Sequence, residues 1–112
     1  ETLLKSTTKG SVMGEGSAMF VVSNNPKNKL ASVLDVGMIQ TKNIAEVQES
    51  LLDFLQKNNI HESEIDRLIL GFNGDGEGDE FYHKILADNF KEQTVLTFKN
   101  LVGDYPTVSG FA

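Results

Sequence analysis

What most constrains this chain is an alternation between residues 43 and 98. A helix-period stretch, a short apolar run, a second helix-period stretch and a second short run follow one another there. Asn43 is a good helix N-cap, and Glu46 stands three residues on, as in a capping box. Ile44, Val47, Leu51, Leu52 and Leu55 then recur on one helical face, and Lys57-Asn58-Asn59 supplies the stop. A turn over residues 63–66 leads to Leu68-Ile69-Leu70, a buried strand. The second helix is predicted over residues 79–90, with Phe81, Ile85, Leu86 and Phe90 inward. Acidic Asp79 and Glu80 sit at its positive end. A core strand over residues 94–98 and a loop over residues 99–107 complete the pattern. Strands separated by helices pair in parallel through crossovers.

Ahead of this frame, residues 1–16 read as loop, since they are rich in Ser, Thr, Lys and Gly and show no period. Gly14-Glu15-Gly16 leads into an apolar, β-branched strand over residues 17–23. Asn24-Asn25-Pro26-Lys27-Asn28 is a dense turn signal, and a second strand is expected over about residues 30–40. The pair makes an antiparallel hairpin. The fold class is therefore α/β, a mixed sheet with helices packed on it, in a single domain spanning residues 1–112. Phe20, Phe54, Phe81, Phe90 and Phe98 fall at core-facing positions.

Composition narrows the function classes. A length of 112 residues allows a modest core, and a formal net charge of −6 disfavours binding to phosphate backbones, so no nucleic-acid partner is expected. No apolar run is long enough to span a bilayer, and no membrane association is expected. The chain has no cysteine, hence no disulfide, thiolate metal site or cysteine nucleophile, which fits a cytoplasmic protein. No cofactor or metal is called for. Glu1 at the start and Gly110-Phe111-Ala112 at the end read as cuts inside a longer protein. An isolated piece of that kind is expected to self-associate through an apolar edge or face.

Three segments carry a resemblance. They are Val12-Met13-Gly14-Glu15-Gly16-Ser17-Ala18-Met19-Phe20-Val21-Val22, then Ser63-Glu64-Ile65-Asp66-Arg67-Leu68-Ile69-Leu70-Gly71-Phe72-Asn73, then Lys99-Asn100-Leu101-Val102-Gly103-Asp104. In this order and spacing the chain resembles the C-terminal part of the β-ketoacyl-acyl carrier protein synthases. The resemblance implies a thiolase-like half-fold, with the end of a first half and most of a second half's central sheet. It implies fatty-acid or polyketide-type biosynthesis, with acyl carrier protein and a second synthase-like subunit as partners. In that family two histidines polarise the thioester carbonyl of the malonyl donor, and a cysteine, upstream of this segment, carries the acyl chain.

By the same resemblance Gly71 and Asp104 occupy the two histidine positions, and Lys99 stands where the family keeps its lysine. Gly71 has no side chain to donate a hydrogen bond, and an ionised Asp104 only accepts and would repel an enolate oxygen. Losing one aimed donor costs roughly a hundredfold to a thousandfold in rate. The expectation is a ketoacyl-synthase-like protein without condensing activity, acting beside an active synthase as a chain-length factor does. Whether the parent is an enzyme stays open, because an upstream nucleophile would still allow acyl transfer. His61 and His83 are expected to be exposed histidines with no special role.

Two further motifs compete for attention. Asn73-Gly74-Asp75-Gly76-Glu77-Gly78-Asp79-Glu80 has oxygen ligands at alternating positions and Gly78 in sixth place, as in a calcium loop. Its twelfth place is Lys84, where a bidentate carboxylate is needed, so a calcium-responsive module is an alternative and a solvated, flexible connection the plainer expectation. Glu15 between two glycines reads as a tight turn with unusual φ and close chain approach.

Overall fold

The computed structural model describes residues 3–105. It is a small α/β arrangement of α1 (Ile44–Lys57), β1 (Arg67–Leu70), α2 (Asp79–Asn89), β2 (Thr94–Thr97) and α3 (Lys99–Val102). Short 3-10 turns at Leu3–Lys5 and Glu62–Glu64 complete the regular elements among these residues.

The local signals for α1 act as their chemistry requires, with one exchange of partners. Asn43 Oδ1 accepts from Ala45 N at 3.0 Å. Glu46, expected to close a capping box on the Asn43 backbone N–H, instead accepts from the Thr41 hydroxyl at 2.5 Å and the Asn43 side-chain amide at 3.4 Å, and Thr41 Oγ1 takes the Asn43 backbone N–H at 3.1 Å. At the other end Asn59 adopts φ 54°, the Ile60 N–H bonds Leu55 O and the Asn59 N–H bonds Gln56 O. That left-handed Asn with its 6→1 and 5→2 bonds is a Schellman stop. Leu55 is buried and Ile44, Val47 and Leu51 half-buried, whereas Leu52 lies at the exposed margin of the stripe.

β1 and β2 pair in parallel, with Leu68 opposite Val95 and Leu70 opposite Thr97. The α2 crossover between them makes parallel pairing the short route. The buried apolar core is Leu55, Phe72, Phe90 and Tyr105. Phe54, Phe81 and Phe98 are half-buried around it. The helices also meet through Gln48 Nε2, which donates to Asp88 Oδ2 at 2.8 Å.

The expected hairpin is absent. Residues 17–23 and 30–40 form no strand, so the described sheet has two parallel strands and no antiparallel member. Phe20 is 67% exposed instead of core-facing, and Met19, Val21, Leu30 and Met38 are at least nine-tenths exposed. A strand is stabilised by cross-strand neighbours, and neither segment joins a ladder among the described residues. The turn between them does form, with Asn28 at φ 60° and Lys27 N bonded to Asn25 Oδ1. Segment 30–40 is anchored to α1 at its middle, where Asp35 pairs with Lys57 at 2.8 Å and Gly37 lies against the Phe54 ring. The predicted loop over residues 99–107 begins instead with α3, and its last two residues lie outside the described range.

Candidate functional site

Parallel strands bring their carboxyl ends to one edge, which is where open α/β sheets place their sites. β1 ends at Leu70 and delivers Gly71, and β2 ends at Thr97, opposite Leu70, and delivers Lys99 at the start of α3. One turn of helix then leads to Gly103, whose φ of +83° redirects the chain into Asp104.

The Gly14-Glu15-Gly16 motif holds that last turn in place. Asp104 N donates to Val12 O at 2.7 Å and Gly14 N to Asp104 O at 3.1 Å, so Met13 and Asp104 form an isolated parallel bridge. A Cβ on Gly14 would lie 2.2 Å from Val102 O, and one on Gly103 would lie 2.8 Å from the Gly14 Cα. Gly16 rests on Tyr105, where a Cβ would meet the hydroxyl at 2.6 Å. Close approach is therefore the purpose of both motif glycines. The unusual φ expected of them is found at Gly103 instead. Glu15 itself is exposed.

Asp104 is the hub. Lys99 Nζ lies 2.6 Å from Asp104 Oδ1, and the two side chains are only 19% and 23% exposed. Asn73 Nδ2 donates to Asp104 Oδ2 at 2.9 Å. The Lys99 ammonium, then Asn73, hold the Asp104 carboxyl below the usual carboxylate range, with a smaller contribution from Ser11, while burial opposes them. Asp104 thus stays ionised and accepting, the opposite polarity to an imidazolium.

Gly71 opens onto the same group. A Cβ there would lie 3.7 Å from Lys99 Cε and 2.9 Å from the Tyr82 hydroxyl. Gly71 and Asp104 are thus gathered around Lys99. Asn73, read from the sequence only as the first place of a calcium loop, joins them through Asp104, and Tyr82, which sequence reasoning did not single out, lies against Gly71. Tyr82 is steadied by Phe72, whose ring centroid is 5.0 Å away. His83 is exposed and packs on the same Phe72 at 4.9 Å. His61 is exposed but has a structural role, since its Nδ1 accepts from Ser63 N and its own N–H bonds Glu64 Oε2, capping the Glu62–Glu64 turn before β1.

The acidic loop is solvated over Gly76, Glu77 and Gly78, as expected, but its start and end are tied down by hydrogen bonds beside the site. Asp79 accepts from Asn73 N at 3.1 Å and Gly74 N at 2.9 Å. Asp75 accepts from Gly10 N and Gly78 N, and Asn73 Oδ1 accepts from Asp75 N. Glu77 is paired with Lys9 at 2.7 Å. Among the described residues no group of three or more His, Asp or Glu side chains comes together as a metal ligand set. Two open grooves lie elsewhere. One is lined by His61, Asp66, Asn89 and Gln93, the other by Ser32, Leu34, Arg67 and Thr94, and neither includes Gly71, Lys99 or Asp104.

Compared with known proteins, the chain matches no family model, no curated protein and no solved structure.

Proposed function

We propose that the chain is a segment of a ketoacyl-synthase-like protein that has lost decarboxylative condensation and serves as a partner subunit shaping an acyl pocket. The observation that carries this reading is the convergence of Gly71 and Asp104 on Lys99 at the carboxyl ends of two parallel strands. Three segments that suggested the resemblance, separated by tens of residues, supply one cluster. Had these positions lain at opposite ends of the sheet, the resemblance would have no physical basis.

The chemistry of the cluster supports inactivity. Condensation builds negative charge on an oxygen and needs donors aimed at it. One position offers no side chain and the other a carboxylate that already occupies the lysine. The cluster's charge is internally neutralised by the Lys99–Asp104 pair. Acyl carrier protein and a second synthase-like subunit are the partners that fit this role. A thiolase-like half-fold also accounts for the exposed apolar segments 17–23 and 30–40. In that reading they belong to the sheet of the first half, which this chain does not complete. Left without it, they favour self-association.

The test is a condensation assay on the full-length protein with malonyl-loaded carrier protein and an acyl primer. The expected result is no product above a heat-inactivated control. Robust turnover overturns the proposal.

A further inference from the structure

Asn73-Gly74 is the one Asn-Gly step in the chain, and it lies in the turn that leads from β1 to α2. Asn followed by Gly is intrinsically prone to deamidation. With no Cβ on the second residue, its backbone nitrogen reaches the Asn side-chain carbonyl carbon unhindered. Here every group that this reaction uses is engaged. Gly74 is buried, and its N–H donates to Asp79 Oδ2 at 2.9 Å. Asn73 Oδ1 accepts from Asp75 N at 3.0 Å, and Asn73 Nδ2 donates to Asp104 Oδ2 at 2.9 Å. Asp79 also takes the Asn73 N–H at 3.1 Å, so one carboxylate holds both backbone amides of the pair. Hydrogen bonds to ionised acceptors are roughly twice as strong as neutral ones. Asp104 is itself held by Lys99 at 2.6 Å. The restraint thus runs from the first residue of α2, through Asn73, to the Lys99–Asp104 pair.

We propose that Asn73-Gly74 is a guarded deamidation site, in which Asp79 and Asp104 hold the reacting groups apart and release of either starts a one-way conversion that dismantles the cluster. In that conversion Gly74 N bonds to Asn73 Cγ and the Cγ–Nδ2 bond breaks. The side-chain nitrogen leaves as ammonia, taking the Gly74 amide proton. Water then opens the succinimide at either carbonyl, giving aspartate or isoaspartate at position 73. Aspartate replaces the donor facing Asp104 with a second carboxylate, so like charges meet where a hydrogen bond stood. Isoaspartate reroutes the main chain through the side chain and lengthens the connection between β1 and α2 by a methylene. The inference does not depend on the ketoacyl-synthase-like reading.

The test follows deamidation at Asn73 in the purified full-length protein in mildly alkaline buffer, native and in urea. It is repeated in native Asp79→Ala and Asp104→Ala, with circular dichroism confirming that each variant is folded. Tandem mass spectrometry reads the mass gain at position 73, and enzymatic methylation reads isoaspartate. The neighbouring Asp75-Gly76 step isomerises without a change of mass, so the two sites are told apart. Conversion is expected to be about tenfold or more slower in the native protein than in urea, because it waits on local opening. Asp79→Ala is expected to raise the native rate on the order of tenfold, the worth of one hydrogen bond to a charged acceptor. Asp104→Ala, which frees only Asn73 Nδ2, is expected to raise it about threefold, and it decides the matter should Asp79→Ala unfold. Asn73→Asp stands in for the aspartate product and is expected to raise the Asp104 carboxyl midpoint in a carbon-13 titration. Native and urea rates within twofold of each other, a folded variant of either holder that converts no faster than wild type, or an unmoved Asp104 midpoint overturns the inference.

Discussion

Gly14→Ala is the sharpest probe of how the site is held, because the clash it creates is with backbone. The new Cβ would lie 2.2 Å from Val102 O and 3.0 Å from Gly103 Cα. Ordinary nonbonded separations are about 3.5–4.0 Å between carbons, so the two segments must part by roughly 1 Å or more. Neither neighbour can swing aside as a long side chain would. Parting the segments breaks the bonds from Asp104 N to Val12 O and from Gly14 N to Asp104 O. Two such bonds contribute about 1–3 kcal/mol. Replacing Gly by Ala also stiffens the unfolded chain, which returns about 0.4–1 kcal/mol. The net cost at this contact is about 1–2 kcal/mol, equivalent to roughly a fivefold to thirtyfold rise in local opening. Amide hydrogen exchange at Asp104, whose N–H is held by Val12, reads that opening directly. The control is Glu15→Ala, an exposed side chain between the two glycines, which is expected to leave the Asp104 amide unchanged. If Gly14→Ala exchanges at Asp104 within twofold of wild type, close approach is not what the motif is for.

Other consequences follow from the same contacts. Asp35 is held at about 2, below its ordinary 3.8, by hydrogen bonds first from Lys57 and then from Asn58 and the Val36 amide. A depressed folded-state value means the pair stabilises the fold above pH 3.8 and is lost as pH falls towards 2. A carbon-13 carboxyl titration of Asp35 with a midpoint near 3.8 would contradict that. Asp104 shifts in the same direction, and Lys99→Met is expected to return its midpoint towards the ordinary value, as the same titration would show. Asn43→Ala removes the side-chain cap of α1 and is expected to cost about 1 kcal/mol in urea unfolding. The double variant Val21→Lys, Met38→Lys changes exposed positions. It is expected to leave stability within about 0.5 kcal/mol while reducing self-association in sedimentation equilibrium. Unaltered association would place the interface elsewhere.

The elements legible in the sequence were those whose stabilising contacts are local. The bounds of α1 follow from Asn43 at one end and Asn59 at the other, each acting within a few residues of itself. β1, α2 and β2 follow from short apolar runs around a helix-period stretch, and their parallel pairing from connectivity alone. Residues 17–23 and 30–40 have strand composition, but composition states only that a segment suits a pleated surface and not that a neighbour exists. α3 was missed because four residues carry no period. It forms where Gly103 N bonds Lys99 O and the left-handed Gly103 closes the turn. Of the two consequences expected of the glycine motif, close approach is found at Gly14 and Gly16 themselves, and the positive φ falls on Gly103.

The same distinction explains the site. Lys99 and Asp104 are five residues apart and could be suspected together from one motif. Asn73 reaches Asp104 across 31 residues, and Tyr82 reaches Gly71 from another element. Along α2, Tyr82 lies beside Phe81 and within a turn of Ile85 and Leu86, so its aromatic body reads as core and its hydroxyl as incidental. What brings the hydroxyl against the end of β1 is an absence there: a Cβ at position 71 would lie 2.9 Å from it. Any larger residue there, alanine included, would make the phenol shift. The identity of position 71 therefore decides how closely α2 can bring its phenol to the end of β1.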